Sequence, residues 1–396
     1  MPLNTDLLYQ SVNQMAVALP EMLPAGRIAD AQAFFKRADL GLLREKLRQR
    51  ERGGPKIPWL VAEPVNTLSA TYAVPSIPSD LAVVASDGSA IPPDRHSPVR
   101  YYVLNVGYAV LVYGGQPDAK LDAHGWFCYK DEDLYFSPQG KRIPLEGTRL
   151  GIHMGVKELP GLLEATEHAP RPVVALRDGS LILWSLHNED KEFQAAYLGE
   201  FLAVLDAFRE RRVPVASYVS YPGSNDIVNC LRLILCKHEA QGCDHCPYEQ
   251  EANVDERLCH SMEGIRDRQL FDGLLRPGER SDIYQSQSAI LSHYKEHQIQ
   301  FFYLDVGGEI ARVEAPQWVM SDPEMLDLVH GVIYDQCRRS GQYPPYPPVL
   351  IEAHEQAVIS TGDRRMVEEM VEKALAAQGI FYMRSAKDLS KKSRGV

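Results

Sequence analysis

The stretch LAVVASDGSAI, residues 81–91, runs from apolar residues into Asp-Gly-Ser, and VVALRDGSLILW, residues 173–184, contains the same transition. Short runs of Val, Ile and Leu are typical of buried strands. Each stretch therefore predicts a strand that ends in a carboxylate, Asp87 in the first and Asp178 in the second. Asp-Gly is also common turn chemistry after a strand. The repeated pattern predicts either two turns or two carboxylates that serve one site.

The composition is that of an ordinary globular protein. The 396 residues are 45% hydrophobic and 24% charged, and they contain no apolar run of about 18 residues that could span a membrane. The first residues lack the basic and apolar regions of a signal peptide, so the seven cysteines predict a reducing, cytoplasmic location. The net charge of −11 argues against a generic nucleic-acid binder, although divalent metals could neutralise clustered acids.

The chain changes character near residue 80. Helical spacing of apolar residues before that point, followed by prolines, predicts an N-terminal helical region and linker at 1–80. Strands and then strand–helix alternation follow, which predicts an α/β domain with a mixed sheet at 81–385. A polar, helical, cysteine-containing insertion is expected at about 225–300, and a basic tail at 386–396.

The order of the predicted elements is similar to that of the ribonuclease-H-like fold, in which a first-strand Asp, a first-helix Glu and a fourth-strand Asp converge at one sheet edge. Adjacent strands lie roughly 5 Å apart, and carboxylates that close repel unless a dication lies between them. Oxygen-only ligands favour Mg²⁺ or Mn²⁺. The fold class thus predicts Asp87, a glutamate and Asp178 as metal ligands.

The glutamate has two candidates in the segment VKELPGLLEATEH. Glu158 lies twenty residues before Asp178, a distance that suits one helix and a turn. Pro160 is tolerated only in a first turn, so a helix is predicted from about Glu158 to His168. Glu164, more than one turn further along, stays open as the alternative.

The C-terminal segment GQYPPYPPVLIEAHEQAVISTGDRR, residues 341–365, resembles the closing motif of the NurA nuclease family. In that family a Tyr and a His eight residues apart lie near the metal site, and the matching positions here are Tyr346 and His354. The blocks VVASDGSAI, LRDGSLILWSL and ARVEAP also resemble NurA blocks, in the same order. The resemblance covers about residues 80–385.

The resemblance implies a Mn²⁺-dependent 5′-to-3′ exonuclease that acts on DNA ends, with single-strand endonuclease activity in many members and Mg²⁺ as an alternative ion. It also implies ring-like homodimers that work with a HerA-type hexameric ATPase in DNA-end resection and repair. Asp87, Asp178 and the glutamate would be metal ligands. His354 would be a ligand or a phosphate contact, and Tyr346 would position the water or the phosphate.

Two other functions remain open. One is a non-catalytic dimeric adaptor of a DNA translocase with a degenerate metal site. The other is a phosphatase with an Asp nucleophile, although neither Asp-Gly-Ser is followed by the second Asp that such enzymes use two residues on. No G-x4-G-K-[ST] motif occurs, so ATP hydrolysis is expected from a separate subunit.

Four cysteines have the spacing C-x6-C-x2-C-x12-C within the predicted insertion. Four thiolates could hold a structural zinc ion or an iron–sulfur cluster, or they could be unligated thiols. These residues are Cys236, Cys243, Cys246 and Cys259. The other three, Cys128, Cys230 and Cys337, are isolated and are expected to be buried.

Several arginines could line a path for DNA. Arg177, next to Asp178, could neutralise a phosphate or could form a salt bridge with a neighbouring acid. Arg312 and Glu314 alternate along a predicted strand and could pair with each other. The remaining candidates are Arg95, Arg232 and Arg364.

Overall fold

The computed structural model describes residues 5–22, 25–51, 58–95, 97–236, 243, 246 and 258–380. The chain forms two compact units. Unit 1 comprises Met1–Ser76 and Tyr218–Pro345, and unit 2 comprises Ile77–Ser217 and Tyr346–Val396. The expected domain boundaries near residues 80 and 385 stay a prediction, and the tail at 386–396 lies outside the described residues. No described helix is both long and apolar enough to cross a membrane.

The secondary structure elements are numbered in chain order. The α-helices are α1 (Thr5–Met22), α2 (Ala25–Arg37), α3 (Leu40–Glu51), α4 (Asp131–Leu134), α5 (Thr148–Glu167), α6 (Lys191–Glu210), α7 (Asp226–Leu235), α8 (Asp267–Phe271), α9 (Gln317–Met320), α10 (Pro323–Arg339), α11 (Pro348–Ala357) and α12 (Thr361–Ala377). The strands are β1 (Glu63–Pro64), β2 (Thr71–Tyr72), β3 (Leu81–Ile91), β4 (Tyr102–Tyr113), β5 (Asp118–Cys128), β6 (Tyr135–Phe136), β7 (Ile143–Pro144), β8 (Val173–Asp178), β9 (Val215–Val219), β10 (Arg280–Ser281), β11 (Tyr284–Gln285), β12 (Ile299–Asp305) and β13 (Ile310–Pro316).

Unit 2 contains, in sheet order, the first three residues of β9 and then β8, β3, β4 and β5. The strands β3, β4 and β5 form consecutive antiparallel hairpins, whereas β8 pairs parallel to β3, from Ala82↔Val173 to Ser86↔Arg177. Helix α5 connects β7 to β8, and α6 connects β8 to β9. This order of hairpins followed by strand–helix alternation confirms the predicted ribonuclease-H-like, mixed α/β class.

Helices cover both faces of the β3–β4 pair. A Cβ at Gly88 would meet the side chains of Glu158 and Met154 on α5. A Cβ at Gly107, which lies opposite Asp87 in the register, would meet the backbone of α11 at Ala357. Because successive residues of a strand face opposite sides, α5 lies on one face of the sheet and α11 lies on the other.

Unit 1 joins the N-terminal helices to the segment that begins at Tyr218. Its strands pair antiparallel in the order β1-β11-β12-β13, with β10 beside β12 and β2 beside β10. Helices α2, α3, α7 and α8 contribute apolar residues to one core with this sheet. That core includes Phe35, Leu43, Ile227, Leu231, Phe271, Tyr284 and Tyr303.

Three elements differ from the prediction. Strand β3 continues to Ile91, because β4 pairs with it along its whole length, so Asp87 lies inside the strand rather than at its end. Helix α5 begins at Thr148, and Pro160 therefore lies inside the helix instead of in its first turn. The predicted helical region at 225–300 is helical in α7 and α8 but also contains the short strands β10 and β11.

Three of the arginines expected to line a DNA path are buried instead. Arg312 donates from Nε to Glu314 at 2.8 Å and from Nη1 to Asp226 at 2.9 Å, so the alternative of a structural pair is confirmed. Arg232 is 6% exposed and stacks on Trp59. The third, Arg177, belongs to the site described next. Arg95 and Arg364 are exposed.

Candidate functional site

Asp87 and His354 form a hydrogen-bonded pair. Nδ1 of His354, in the last turn of α11, lies 2.7 Å from Oδ2 of Asp87 on β3. The end of α11 is anchored to the sheet because Ser89 Oγ and Asn105 Nδ2 both donate to the carbonyl of Ala357, at 2.6 and 2.9 Å. The side chain of His354 is 60% exposed and that of Asp87 is 21% exposed. The imidazole is thus held at Asp87 and is open to a substrate.

Glu158 projects from the middle of α5 toward β3 and is buried. Ser86 Oγ donates to the backbone carbonyl of Glu158 at 3.0 Å, which fixes this turn of the helix against the strand. A Cβ at Gly88 would lie 2.7 Å from Glu158 Oε1, so the strand and the carboxylate are in close contact. The carboxylate thus reaches the residue next to Asp87.

The neighbours of Glu158 change its pKa. The pKa of Glu158 is raised to about 7, mainly by burial; the charges of Asp87 and Asp178 contribute to this rise, and the Arg177 guanidinium opposes it. A carboxyl group senses like charges in this way only when they lie nearby in a poorly solvated place. Asp87 and Asp178 therefore both lie within electrostatic reach of Glu158.

Arg177 and Asp178 end β8 and face opposite sides of the sheet. Arg177 Nη2 lies 3.3 Å from Glu158 Oε2 and donates to the Gly155 carbonyl at 3.1 Å. The salt-bridge alternative for Arg177 is thus confirmed. Its Nε and Nη1 are buried without a hydrogen-bond acceptor among the described residues. Asp178 is exposed, and Gly179 follows it in the left-handed region at φ 76°, which turns the chain away.

The carboxylates do not form a closed metal cage. Within the described residues, no group of three or more His, Cys, Asp or Glu side chains is arranged to hold a metal ion. Asp87 bonds to His354 instead, and Glu158 bonds to Arg177. The oxygen donors still suit Mg²⁺ or Mn²⁺, and a cation would relieve the repulsion that raises the pKa of Glu158.

The structure separates the two candidate glutamates. Glu164 is exposed, and Glu158 is the one that lies beside Asp87 and Arg177. Tyr346 is half-buried and lies just before α11. The roles assigned to Asp87, Glu158, Asp178, Tyr346 and His354 stay predictions. Glu158 as the partner of Arg177 and the anchoring of α11 were not predicted, and the small residues next to the carboxylates were the only signal for them.

The cysteine cluster has no structural support as a metal site. Cys236, Cys243 and Cys246 are half-buried and Cys259 is buried, and none of them belongs to a metal-ligating group among the described residues. The predicted zinc ion or iron–sulfur cluster is therefore not supported. Among the isolated cysteines, Cys230 and Cys337 are buried as predicted, whereas Cys128 is only half-buried because β5 is exposed.

The sequence profile of the NurA domain matches residues 81–359. This chain belongs to the NurA domain family. The match contains all five predicted site residues, and it confirms the family that the sequence blocks resembled. Membership of the NurA family supports a nuclease role.

Comparison with solved structures also returns NurA proteins. The NurA nuclease from Sulfolobus solfataricus is 13% identical, with a TM-score of 0.48, over 93% of this chain and 99% of that chain. A structure of NurA with manganese is 12% identical, with a TM-score of 0.36, over 95% of this chain and 99% of that chain. A type 1 RNase H, LC9-RNase H1, is 14% identical, with a TM-score of 0.22, over 40% and 72% of the two chains. No curated protein matches the sequence significantly.

Proposed function

We propose that this protein is a metal-dependent DNA nuclease that uses Mn²⁺, with Mg²⁺ as the second choice. Its activity would be 5′-to-3′ exonucleolytic, with single-strand endonuclease activity in addition. It would act as a cytoplasmic homodimer with a HerA-type hexameric ATPase in DNA-end resection and double-strand-break repair. The observation that carries the proposal is the cluster of Asp87, Glu158 and Asp178 beside His354, within the NurA match.

The carboxylates Asp87, Glu158 and Asp178 would hold the metal ion, with His354 as a further ligand or a phosphate contact. The bound ion would supply positive charge for the phosphodiester and would lower the pKa of a water molecule. Glu158 must lose its proton to take part. Arg177 favours that ionised form, because its positive charge lowers the pKa of Glu158.

His354 has the geometry for proton transfer at the cleaved bond. Its Nδ1 faces Asp87, so the opposite ring nitrogen, Nε2, is the one that can face a phosphate or a leaving oxygen. The carboxylate of Asp87 orients the ring through this hydrogen bond. His354 would therefore donate or orient a proton, as the family resemblance also implies.

The test is cleavage of single-stranded DNA labelled at its 5′ end, and separately at its 3′ end, with Mn²⁺, Mg²⁺ or EDTA. We expect Mn²⁺-dependent cleavage by the wild type and none above background with Asp87→Ala or Glu158→Gln. Glu164→Gln is the matched control, since it changes an exposed glutamate on the same helix. Early release of a labelled mononucleotide from the 5′ label alone would support the polarity.

The Glu158–Arg177 and Asp87–His354 pairs favour one alternative, a non-catalytic adaptor whose carboxylates are engaged within the protein. Titration with Mn²⁺, followed by the electron paramagnetic resonance of the free ion, separates the two functions. A nuclease should bind Mn²⁺, and Asp178→Asn should weaken the binding at least tenfold. Weak Mn²⁺ binding by the wild type, and no cleavage even with the translocase present, would favour the adaptor.

A further inference from the structure

The outermost strand of unit 2 is exposed along its length. Among the described strands β5 pairs with β4 alone, and every residue from Asp118 to Phe127 is exposed. The other edge of this 11-residue strand pairs with no described strand, and of its backbone N–H groups those of Ala119 and Ala123 donate to the neighbouring carboxylates of Asp118 and Asp122. Such an edge is a template for pairing with another strand, so β5 has the properties of an interaction surface.

An apolar groove lies at the C-terminal end of β5. A cavity of about 950 Å³ is lined by Phe127 of β5 and by Met370 and Val371 of α12, among others. None of the residues of α12 whose burial is described is buried, and Met370 is 63% exposed. Exposed apolar surface of this extent next to an unpaired edge is typical of a surface that a protein covers.

The charges of β5 indicate which protein covers it. Asp118, Lys120, Asp122 and His124 alternate with small or apolar residues, so all four face one side of the sheet. We propose that β5 pairs antiparallel with β5 of a second copy of this chain, about a two-fold axis at Leu121. Lys120 then lies opposite Asp122 of the second copy, and Asp118 lies opposite its His124.

Other two-fold registers are less favourable. A two-fold axis perpendicular to the sheet must pass through a pair of identical residues, because otherwise side chains from opposite faces would be paired. An axis at Lys120 places two lysines opposite each other, and an axis at Asp122 does the same with two aspartates. Like charges directly opposite destabilise a strand pair. An axis at Ala123 leaves Lys120 opposite Trp126 instead of a carboxylate. An axis at Ala119 pairs Lys120 with Asp118 but leaves Asp122 opposite Gln116 and His124 opposite Gly114, so it forms fewer charge pairs.

The register at Leu121 also leaves room for the aromatic end of β5. Gly125, Trp126 and Phe127 would lie opposite the turn Gly115-Gln116-Pro117 of the second copy. Gly115 and Pro117 are small or compact, so the turn of the second copy can lie over the end of the apolar groove beside Phe127. This inference rests on the homodimer of the proposed function and identifies β5 as the surface through which the two copies pair. The residues of the nuclease site do not depend on that surface.

Charge exchange tests the pairing. The mass in solution of the full-length protein, measured by light scattering after gel filtration, should be twice the 44.4 kDa of one chain. Lys120→Asp and Asp122→Lys should each raise the dissociation constant of the dimer about tenfold or more, because attraction becomes repulsion on both sides of the axis. The double variant Lys120→Asp/Asp122→Lys should restore the dimer. Lys141→Asp, at an exposed lysine of unit 2, should leave it unchanged.

Cross-linking tests the register. Opposite Cα atoms in an antiparallel pair are about 4.5 to 5.5 Å apart, which a disulfide can bridge. Mild oxidation of Leu121→Cys should therefore give a covalent dimer above the wild-type background, and Ala123→Cys and Lys141→Cys should not. Stronger cross-linking of Ala123→Cys would overturn the register at Leu121.

Two results would overturn the proposal that β5 is the dimer surface. If the wild type is dimeric and the single charge variants remain dimeric, the dimer uses another surface. If the wild type is monomeric at about ten micromolar, a concentration at which a specific interface of standard size would be occupied, β5 is not self-paired. Because DNA cleavage is measured separately with Mn²⁺, neither result would decide the nuclease proposal.

Discussion

Gly88 separates the two carboxylates at the centre of the site. A Cβ at this position would lie 2.7 Å from Glu158 Oε1 and 3.0 Å from Cγ of both Glu158 and Met154. Glu158 cannot move aside easily, because it is buried and paired with Arg177. Gly88→Ala should therefore displace the carboxylate and lower the rate of DNA cleavage about 100-fold, as small misplacements of catalytic groups do.

Gly151→Ala is the control for this prediction. Gly151 lies on α5, the helix that carries Glu158, but a Cβ there would meet nothing within 4 Å. This variant should keep the wild-type cleavage rate. Equal cleavage rates for Gly88→Ala and the wild type would show that cleavage does not require Glu158 at its position in the structure. Glu164 would then again be the candidate metal ligand.

The residues of the site differ in how far the sequence could predict them. Asp87 and Asp178 follow apolar runs, and a run of this kind predicts its strand from local pattern alone. The pairing of Glu158 with Arg177 depends on a helix and a strand that meet only in the folded chain. The only local sign of this pairing in the sequence is Gly155, where a Cβ would lie 2.9 Å from Arg177 Nη2. One glycine in a helical segment is too common to predict a contact.

Pro160 lies inside α5, where it lacks the N–H that an interior helical residue donates. It is exposed, so its ring contributes little packing. Pro160→Ala should therefore raise the free energy of unfolding by about 1 to 3 kcal/mol, measured as the urea midpoint and slope. Pro323→Ala is the control, because Pro323 is also exposed but stands in the first turn of α10, where proline is favourable.

A loss of stability in Pro160→Ala would contradict this argument and would show that the proline shapes the helix usefully. The same residue explains why the start of α5 was predicted ten residues too late. Proline usually marks a first turn, and the glycines at 151 and 155 weaken the helical pattern before it. The buried residues Leu150, Ile152 and Val156 carried the correct signal.

At the scale of the whole molecule, strand order was predictable and the grouping of segments was not. The order from β3 to β9 follows from local alternation of strands and helices, and it gave the fold class. Unit 1 instead combines residues 1–76 with 218–345. Contacts such as Arg27 with the carbonyl of Glu263 join positions more than 200 residues apart, and no local pattern encodes them.

Acid should destabilise both units through one histidine in each, because the pKa of that histidine lies well below its usual value. The pKa of His330 in unit 1 is lowered to about 4, mainly by burial. Arg280 contributes to this shift, and the hydrogen bond that His330 Nε2 donates to the Gly278 carbonyl opposes it. Burial, followed by Lys157, lowers the pKa of His153 in unit 2 to about 4. In the unfolded chain both histidines protonate near pH 6.5.

The sign follows from these values. The stabilisation is complete above pH 6.5 and is lost as the pH falls toward 4, because the unfolded chain then binds protons that the folded chain does not. Each histidine should lower the free energy of unfolding at pH 4.5 by about 2 to 3 kcal/mol relative to pH 7.5. His330→Gln and His153→Gln should each reduce the acid loss by that amount, measured by urea unfolding at both pH values.

The exposed His293 provides the control for this titration. His293→Gln should leave the difference between pH 7.5 and pH 4.5 as large as in the wild type. If the units unfold in separate transitions, His330→Gln should change only that of unit 1 and His153→Gln only that of unit 2, so each variant also serves as a control for the other. An acid loss that survives in both variants would place the responsible protons on carboxylates whose pKa is lowered in the folded state. Asp267 is not among them, because burial raises its pKa to about 6 and its protonation in acid would stabilise the folded state.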